Sequence, residues 1–457
     1  MAYPTDVPAV PAPVVPLAPY LSQDPEVRRV DGPVDLHLGV TQEVLREPRR
    51  PVWFTGTGAT TVVGNLWSSR ERVARHLGVS ASDLPDLLLS ALERPVPPLV
   101  SEGAPAFRLR PGPVDLTRLP VPVFFPRDAG PYLTAAIFSA RWNGKQNLSF
   151  HRLWVQGPRG GPVRLVPRHL ERMVRLARAE GKDLPVAIVL GAPLEFTLAA
   201  AVATDYAVDE MEIASALWQR KAGRPLPVVE LPSGCQVPRD SEIVLEGRVT
   251  QQDAAEGPFL DVLGTYDPVR QQPVVEIDRV YTTERPVLPV VVAGTGEHYV
   301  LMGLPREPLL LRAVRAAVPG VRAVRLTEGG AAWLHAVVAI EKRREGDGKN
   351  AALAALAGHP SLKRVVVVDP DIDIFNDEEV EWALATRFQA DRGLLTVPGA
   401  TGSSLDPSAG KDAATTKWAL DATLPLGADR APFTREPYLR SRSDGPVGNG
   451  PKPGKAP

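Results

Sequence analysis

Several things are scarce in this sequence, and each shortage narrows what the chain can be. Cysteine occurs once in 457 residues, at Cys235, which excludes an intrachain disulfide and a cysteine-based metal cluster. A reducing, cytoplasmic setting is therefore expected. Neither charge sign is in surplus: 52 Lys+Arg against 53 Asp+Glu leave a net charge of -1. A general nucleic-acid binder needs a basic excess to displace counterions, so that class is set aside. No stretch reaches the roughly 18 consecutive apolar residues of a membrane span, and none is expected. The opening MAYPTDVPAVPAPVVPLAPYL lacks the basic start and unbroken apolar run of a signal peptide, and its prolines oppose a helix. Lysine is scarce as well, 10 against 42 arginines; with heavy Ala and Pro use, this points to a GC-rich genome.

What remains is ordinary globular composition, 44% hydrophobic and 23% charged, with 49 Pro and 38 Gly. The length suggests two or three domains. Residues 1–110 read as an N-terminal α/β region with a Pro-rich arm. In it Gly78 is expected to end one helix, and Ser82, Asp83 and Pro85 to start another. Residues 111–300 carry many short β-branched strands with a few helices, the pattern of a β-barrel-like central domain. Residues 301–440 alternate helix and strand, which predicts a second α/β domain with a mostly parallel sheet. Residues 441–457 read as a disordered tail. The fold class expected is α/β (α+β), with a central split β-barrel-like domain.

In Asn147-Leu-Ser-Phe-His-Arg152, strand alternation puts Asn147, Ser149 and His151 on one face and Leu148, Phe150 and Arg152 on the other. A ligand-facing polar strand and a half-exposed edge strand both satisfy this pattern. His169 opens a helix after Pro167, where amides favour anions, and Glu212 lies on a later helix. An Asn, His and Glu set suits a divalent cation, but the spacings are too long for a local motif. Glu256-Gly-Pro-Phe-Leu-Asp261 holds two acids around a rigid turn. With an arginine nearby, one carboxylate can act as an acid and the other as electrostatic support; a turn with solvated acids is the alternative. DPDIDIFNDEE (369–379) fails the EF-hand spacing and also reads as a helix N-terminus rich in acids. The glycine runs at 294–296 and 399–404 lack the strand–glycine–helix setting of a nucleotide fingerprint and read as loops. Cys235 reads as a packed thiol.

At NLSFHR, EIVLEG and EGPFLDVLGTYD the sequence resembles the UbiD family of reversible decarboxylases. The resemblance continues through GEHYVLMGLPREP, HPSLKRVVVVDPDIDIFNDEEVEWALATRFQADR and KWALDAT, covering roughly residues 100–430. It implies prenylated FMN as cofactor, bound through Mn2+ (or a similar divalent ion) and K+ at the flavin phosphate, with a flavin prenyltransferase as its supplier. Matched by motif, Asn147, His169 and Glu212 are the implied metal ligands. Arg152, Glu256 and Asp261 are the implied catalytic trio, Asp261 standing where many members carry Glu. Ser149, Phe150, His151, Arg152, Arg168 and Lys417 match flavin contacts, and Thr204 lies near the K+ loop. The implied reaction is non-oxidative, reversible decarboxylation of an α,β-unsaturated acid through 1,3-dipolar cycloaddition to the cofactor, with Asp261 as proton donor. Secondary-metabolite (polyketide) tailoring is the expected setting and an anhydromevalonate-phosphate-type reaction the alternative. A metal-dependent hydrolase and an inactive flavin-binding protein are the readings from other classes. A homodimer or larger homo-oligomer is expected.

Overall fold

The computed structural model describes residues 16–435. The expected tail at 441–457 and the first 15 residues of the arm lie outside that range.

The central sheet is antiparallel throughout. Its strands run Gly160–Pro162, Arg270–Thr282, Ile243–Glu256, Leu184–Leu190, Ile137–Trp142 and Lys145–Phe150 across the sheet. It curls because its longest pair, Ile243–Glu256 with Arg270–Thr282, carries register shifts at Glu246/Gly247 and Val249/Asp253. Such bulges bend a strand and increase its twist. Gly247 makes the first shift possible: a Cβ there would lie 2.0 Å from the Glu276 carbonyl oxygen. The sheet packs on both sides. Val186, Ile188, Leu190 and Leu245 enter one core, while Ala187, Val189 and Val244 enter the other. This is period-two alternation buried on both faces. The result is the mixed α/β architecture with a half-barrel centre that the sequence predicts.

A smaller sheet at the N-terminal end joins Arg28–Val30, Val52–Phe54 and Thr61–Gly64 to Val287–Val290. Gly78 ends the helix Arg70–Leu77 in a left-handed conformation, as expected, and Ser69 caps its start. Ser82 does not cap the following helix Leu84–Glu93. A single 3-10 turn precedes that helix, and the Ser82 hydroxyl pairs with Ser80 at 2.8 Å instead.

The C-terminal sheet runs Val321–Leu326, His335–Ile340, Arg364–Val368, Ala414–Asp421, Leu394–Thr401. Its two inner pairings are parallel and its two outer ones antiparallel. It is thus a mixed sheet, less parallel than β/α alternation suggested. The first antiparallel pair is joined by only a short turn through Glu328–Gly330, and a parallel pair needs a longer crossover. The valine run 365–368 is buried on both faces: Val365 and Val367 pack with Leu310, Val314 and Ala351, whereas Val366 and Val368 pack with Val380 and Ala383. No helix among the described residues is long and apolar enough to cross a membrane.

Candidate active site

The strand Lys145–Phe150 carries the first half of the site. Its alternation survives past the strand end, because Asn147, Ser149 and His151 form one hydrogen-bonded row. Ser149 Oγ lies 2.9 Å from both Asn147 Oδ1 and His151 Nε2, and His151 Nδ1 donates to the Arg164 carbonyl at 3.0 Å. Burial pushes the His151 pKa down to about 4, so the ring is neutral at pH 7. Phe150, singled out with this row, is partly buried against the apolar core instead.

Asn147 meets Glu210, not Glu212. The Glu210 carboxylate accepts from Asn147 Nδ2 at 3.3 Å, Leu148 N at 3.1 Å and Thr204 Oγ1 at 2.9 Å, and lies 3.3 Å from His169 Nδ1. Both glutamates sit in the first turn of Glu210–Ala222, capped by Asp209. Two residues apart on a helix is a rotation of about 200°, so only one of them can face this cluster. Glu212 is joined to the segment below through its carbonyl, which accepts from Val96 N at 3.1 Å. The placement of Glu212 beside Asn147 and His169 is therefore corrected to Glu210.

The proton count along this row is informative. His151 is neutral with Nδ1–H donating, so Nε2 needs a proton from Ser149. Asn147 Oδ1 needs the same proton while Nδ2 donates to Glu210. One hydroxyl cannot serve both. With a cation on the Glu210 side, the amide turned over presents Oδ1 to it and an N–H of Nδ2 to Ser149, and the Ser149 proton is then free for His151 Nε2. The Asn147, His169 and Glu210 donors thus fit a hard-to-borderline divalent ion through mixed N/O ligation. No group of three or more His, Cys, Asp or Glu side chains suited to a metal occurs among the described residues; here the third donor is an amide.

The second half centres on Arg152. Its Nε and Nη2 grip Glu256 at 2.8 and 3.0 Å, a bidentate pair with Glu256 fully buried. Nη2 also donates to Asp267 at 3.0 Å, and Nη1 lies 3.8 Å from Asp261 Oδ2. Phe259 lies under the guanidinium, 4.6 Å from ring centroid to Cζ. Burial acts to lower the Arg152 pKa, but the bonds and attraction to Glu256, Asp267 and Asp261 outweigh it and move it upward. Asp261 Oδ1 accepts from Val262 N at 2.6 Å, which leaves Oδ2 facing Arg152. Two further groups frame the acids. Burial and the Glu256 charge push the Tyr132 hydroxyl pKa up, and that hydroxyl accepts from Gly257 N at 3.3 Å. His298 is half-buried, its Nδ1 is out of solvent with no hydrogen-bond partner among the described residues, and burial pushes its pKa down against the pull of Asp261.

A basic group lies where the central and C-terminal sheets approach. Arg168 precedes the helix His169–Ala179, Arg306 ends the turn Leu304–Arg306, and Lys417 lies on Ala414–Asp421. Burial and the neighbouring Arg168 push the Arg306 pKa down to about 9, and its Nε has no hydrogen-bond partner among the described residues. Burial, then Arg306, Arg168 and Lys417, push His359 down to about 3. Among the described residues Lys417 Nζ donates only to the Pro360 carbonyl. Lys417 is buried, Arg306 half-buried and Arg168 exposed; cations gathered out of water without a carboxylate are costly, and this arrangement fits a phosphate.

Other candidates fall away from the site. Asp369 and Asp371 are neutralised by Arg387 and Arg430, and Asn376 caps the next helix, so that acidic run serves the fold. Cys235 is buried in the core, and burial pushes its thiol pKa up. Composition and spacing did not single out Glu210, Arg164, Asp267, Arg306 or His359. Asp267 and Arg306 do lie inside EGPFLDVLGTYD and GLPREP.

Comparison with known proteins shows the family. The chain matches the N-terminal domain of 3-octaprenyl-4-hydroxybenzoate carboxy-lyase (UbiD) over residues 20–92, the Rift-related domain over 100–296 and the C-terminal domain over 299–422. It belongs to the UbiD family and is a UbiD-type decarboxylase, a carboxy-lyase. It is 42% identical over 370 residues to the anhydromevalonate phosphate decarboxylase of Methanothermobacter thermautotrophicus, covering 80% of this chain and 86% of that protein. Among solved structures, it resembles the UbiD-class enzyme HmfF from Pelotomaculum thermopropionicum in complex with FMN, with a TM-score of 0.87 and 38% identity over 93% of this chain and 97% of that one. An evolved dimeric form of that enzyme in complex with prenylated FMN gives 0.83 and 35%, over 92% and 96%.

Proposed function

We propose that this carboxy-lyase removes CO2 from an α,β-unsaturated carboxylic acid with prenylated FMN as cofactor. Asn147, His169 and Glu210 hold a divalent cation, Mn2+, and Arg168, Arg306 and Lys417 hold the flavin phosphate. A K+ ion is the second cation, with Thr204 as its candidate contact. The observation that carries this reading is the Arg152 guanidinium: gripped by Glu256, it leaves Nη1 free beside Asp261. Bound prenylated FMN supplies the sink for the electron pair left when the bond to the carboxylate breaks. Nη1 orients the substrate carboxylate through charge-assisted hydrogen bonds. Glu256 has both oxygens committed to Arg152 and acts as its anchor. Asp261 Oδ2 is placed to pass a proton to the carbon that has lost CO2, and solvent replaces that proton at Asp261, whose side chain is 25% exposed.

For the substrate, 42% identity to an anhydromevalonate phosphate decarboxylase makes anhydromevalonate phosphate the first acid to test. The excess of arginine over lysine favours a second reading, an unsaturated acid of secondary metabolism such as a polyketide. The units 1–110, 111–300 and 301–440, with homo-oligomer assembly through the last, belong to the same proposal.

The test is expression with and without a flavin prenyltransferase, the absorption spectrum and mass of the bound cofactor, and assays on both acid classes. Decarboxylation is expected only with prenylated FMN bound. Full activity with plain FMN, or with metal alone, overturns the reading.

A further inference from the structure

Arg152 has five N–H donors. Nε and one N–H of Nη2 go to Glu256, and the other N–H of Nη2 goes to Asp267 Oδ2 at 3.0 Å. We propose that Asp267 is a positioning residue that fixes the Arg152 guanidinium and so aims its Nη1 edge at the substrate carboxylate; this rests on the role proposed above for Arg152.

The local fold builds the contact. Phe259 and Asp267 are directly opposed residues of a two-stranded ribbon, Phe259–Leu260 with Tyr266–Asp267. Directly opposed residues project from the same face. One cross-strand pair therefore supplies both the ring under the guanidinium and the carboxylate on its edge. Glu256 supplies the other edge, so a single stretch, 256–267, holds Arg152 from three directions.

Charge explains why a carboxylate is needed there. Asp267 Oδ2 also accepts from Arg164 Nε at 3.0 Å, and Oδ1 takes Arg270. Nitrogens of Arg152 and Arg164 both lie 3.0 Å from one oxygen, so they are at most about 6 Å apart, where like charges in a partly buried setting repel strongly. Arg164 is further tied to the Leu165 carbonyl at 2.7 Å. Without the carboxylate, the strain falls on Arg152. With both oxygens committed to guanidiniums, Asp267 is not a second proton donor.

The test uses the enzyme loaded with prenylated FMN. Asp267→Asn is expected to keep its flavin and its unfolding midpoint but to lose about 10- to 100-fold in kcat/KM, the scale of a misaimed binding group. Asp267→Glu, which keeps the charge, is expected to recover part of the loss. The crystal structure of Asp267→Asn is expected to show Arg152 Nη2 withdrawn from residue 267. Adding Arg164→Gln removes the facing charge, and Arg152 is expected to return with part of the kcat/KM; a merely structural role for Asp267 would make the double variant worse. Wild-type kcat/KM in Asp267→Asn overturns the proposal, as does an unmoved Arg152. If the wild-type enzyme turns over no acid tried, the substrate reading fails, while the crystal structures still decide whether Asp267 sets the aim of Arg152.

Discussion

Three carboxylates surround Arg152, and their surroundings give them different work. Glu256 is fully buried and spends both oxygens on one guanidinium. Asp267 is shared among three arginines. Asp261 stands off at 3.8 Å with partial access to solvent, which suits a group that must gain and lose a proton in each turnover. Asp261→Asn is therefore expected to keep the fold and the flavin while kcat falls by about 10²–10⁴-fold, the usual cost of losing an acid–base group. Solvent-deuterium exchange into the product alkene should fall in parallel, since it uses the same donor in reverse. Asp261→Glu should retain part of the activity, because the acid remains and only its reach changes. The measurement is exchange alongside steady-state decarboxylation for both variants. If Asp261→Asn runs at the wild-type rate, Asp261 is a loop acid and the proton comes from another source.

At the scale of the element, what could be read from the sequence depended on whether periodicity decides the contact. The run 147–151 was legible, because alternation alone puts Asn147, Ser149 and His151 in one row, and the structure links them by hydrogen bonds. The acids of EGPFLD were legible as a pair held on a turn. The choice between Glu210 and Glu212 was not. Both occupy the first turn of one helix, and which faces Asn147 depends on how Glu210–Ala222 is rotated against the sheet, a tertiary fact. Asp267 was hidden for a similar reason: its contact follows from a ribbon only two residues wide on each side, too short for a pattern. Arg306 and His359 come from different elements that meet only when the C-terminal sheet docks. The helix rotation yields a direct comparison. Glu210→Gln is expected to release divalent metal and flavin together, since a charged oxygen ligand is lost from the balance of cation and phosphate. Glu212→Gln should leave both near wild type. Metal content by elemental analysis and flavin retained after gel filtration read the result, and equal loss in the two variants would count against the Glu210 assignment.

At the scale of the whole molecule, buried glutamates sit where distant stretches of chain cross. Glu242 accepts from Leu17 N, Thr283 Oγ1 and Val287 N, pinning the N-terminal helix Leu17–Gln23 to the centre. Glu307 pairs with Arg70 and accepts from Leu326 N at 3.0 Å. Glu297 accepts from Leu66 N and Trp67 N at 3.1 and 3.0 Å, joining the N-terminal sheet region to the helix that leads into the C-terminal sheet. Burial pushes the Glu297 pKa up to about 7 from an ordinary value of 4.5, against the pull of those two amides. The folded protein therefore keeps a proton that the unfolded chain releases between these values. Stability from this group falls as pH rises from about 4.5 to about 7, and the loss is complete above that. Three histidines act oppositely. His151 and His335 are pushed to about 4 and His359 to about 3 by burial, so their neutral forms cost stability as pH drops below about 6.5. The wild-type curve sums both trends, and only a difference isolates Glu297. Relative to wild type, Glu297→Gln is expected to gain stability steadily from about pH 5 to about pH 7.5, by up to about 3 kcal/mol, and then to run parallel. Urea unfolding midpoints across that range measure it. Parallel curves throughout would mean that Glu297 is ionised in the folded protein and that its two amide bonds outweigh its burial.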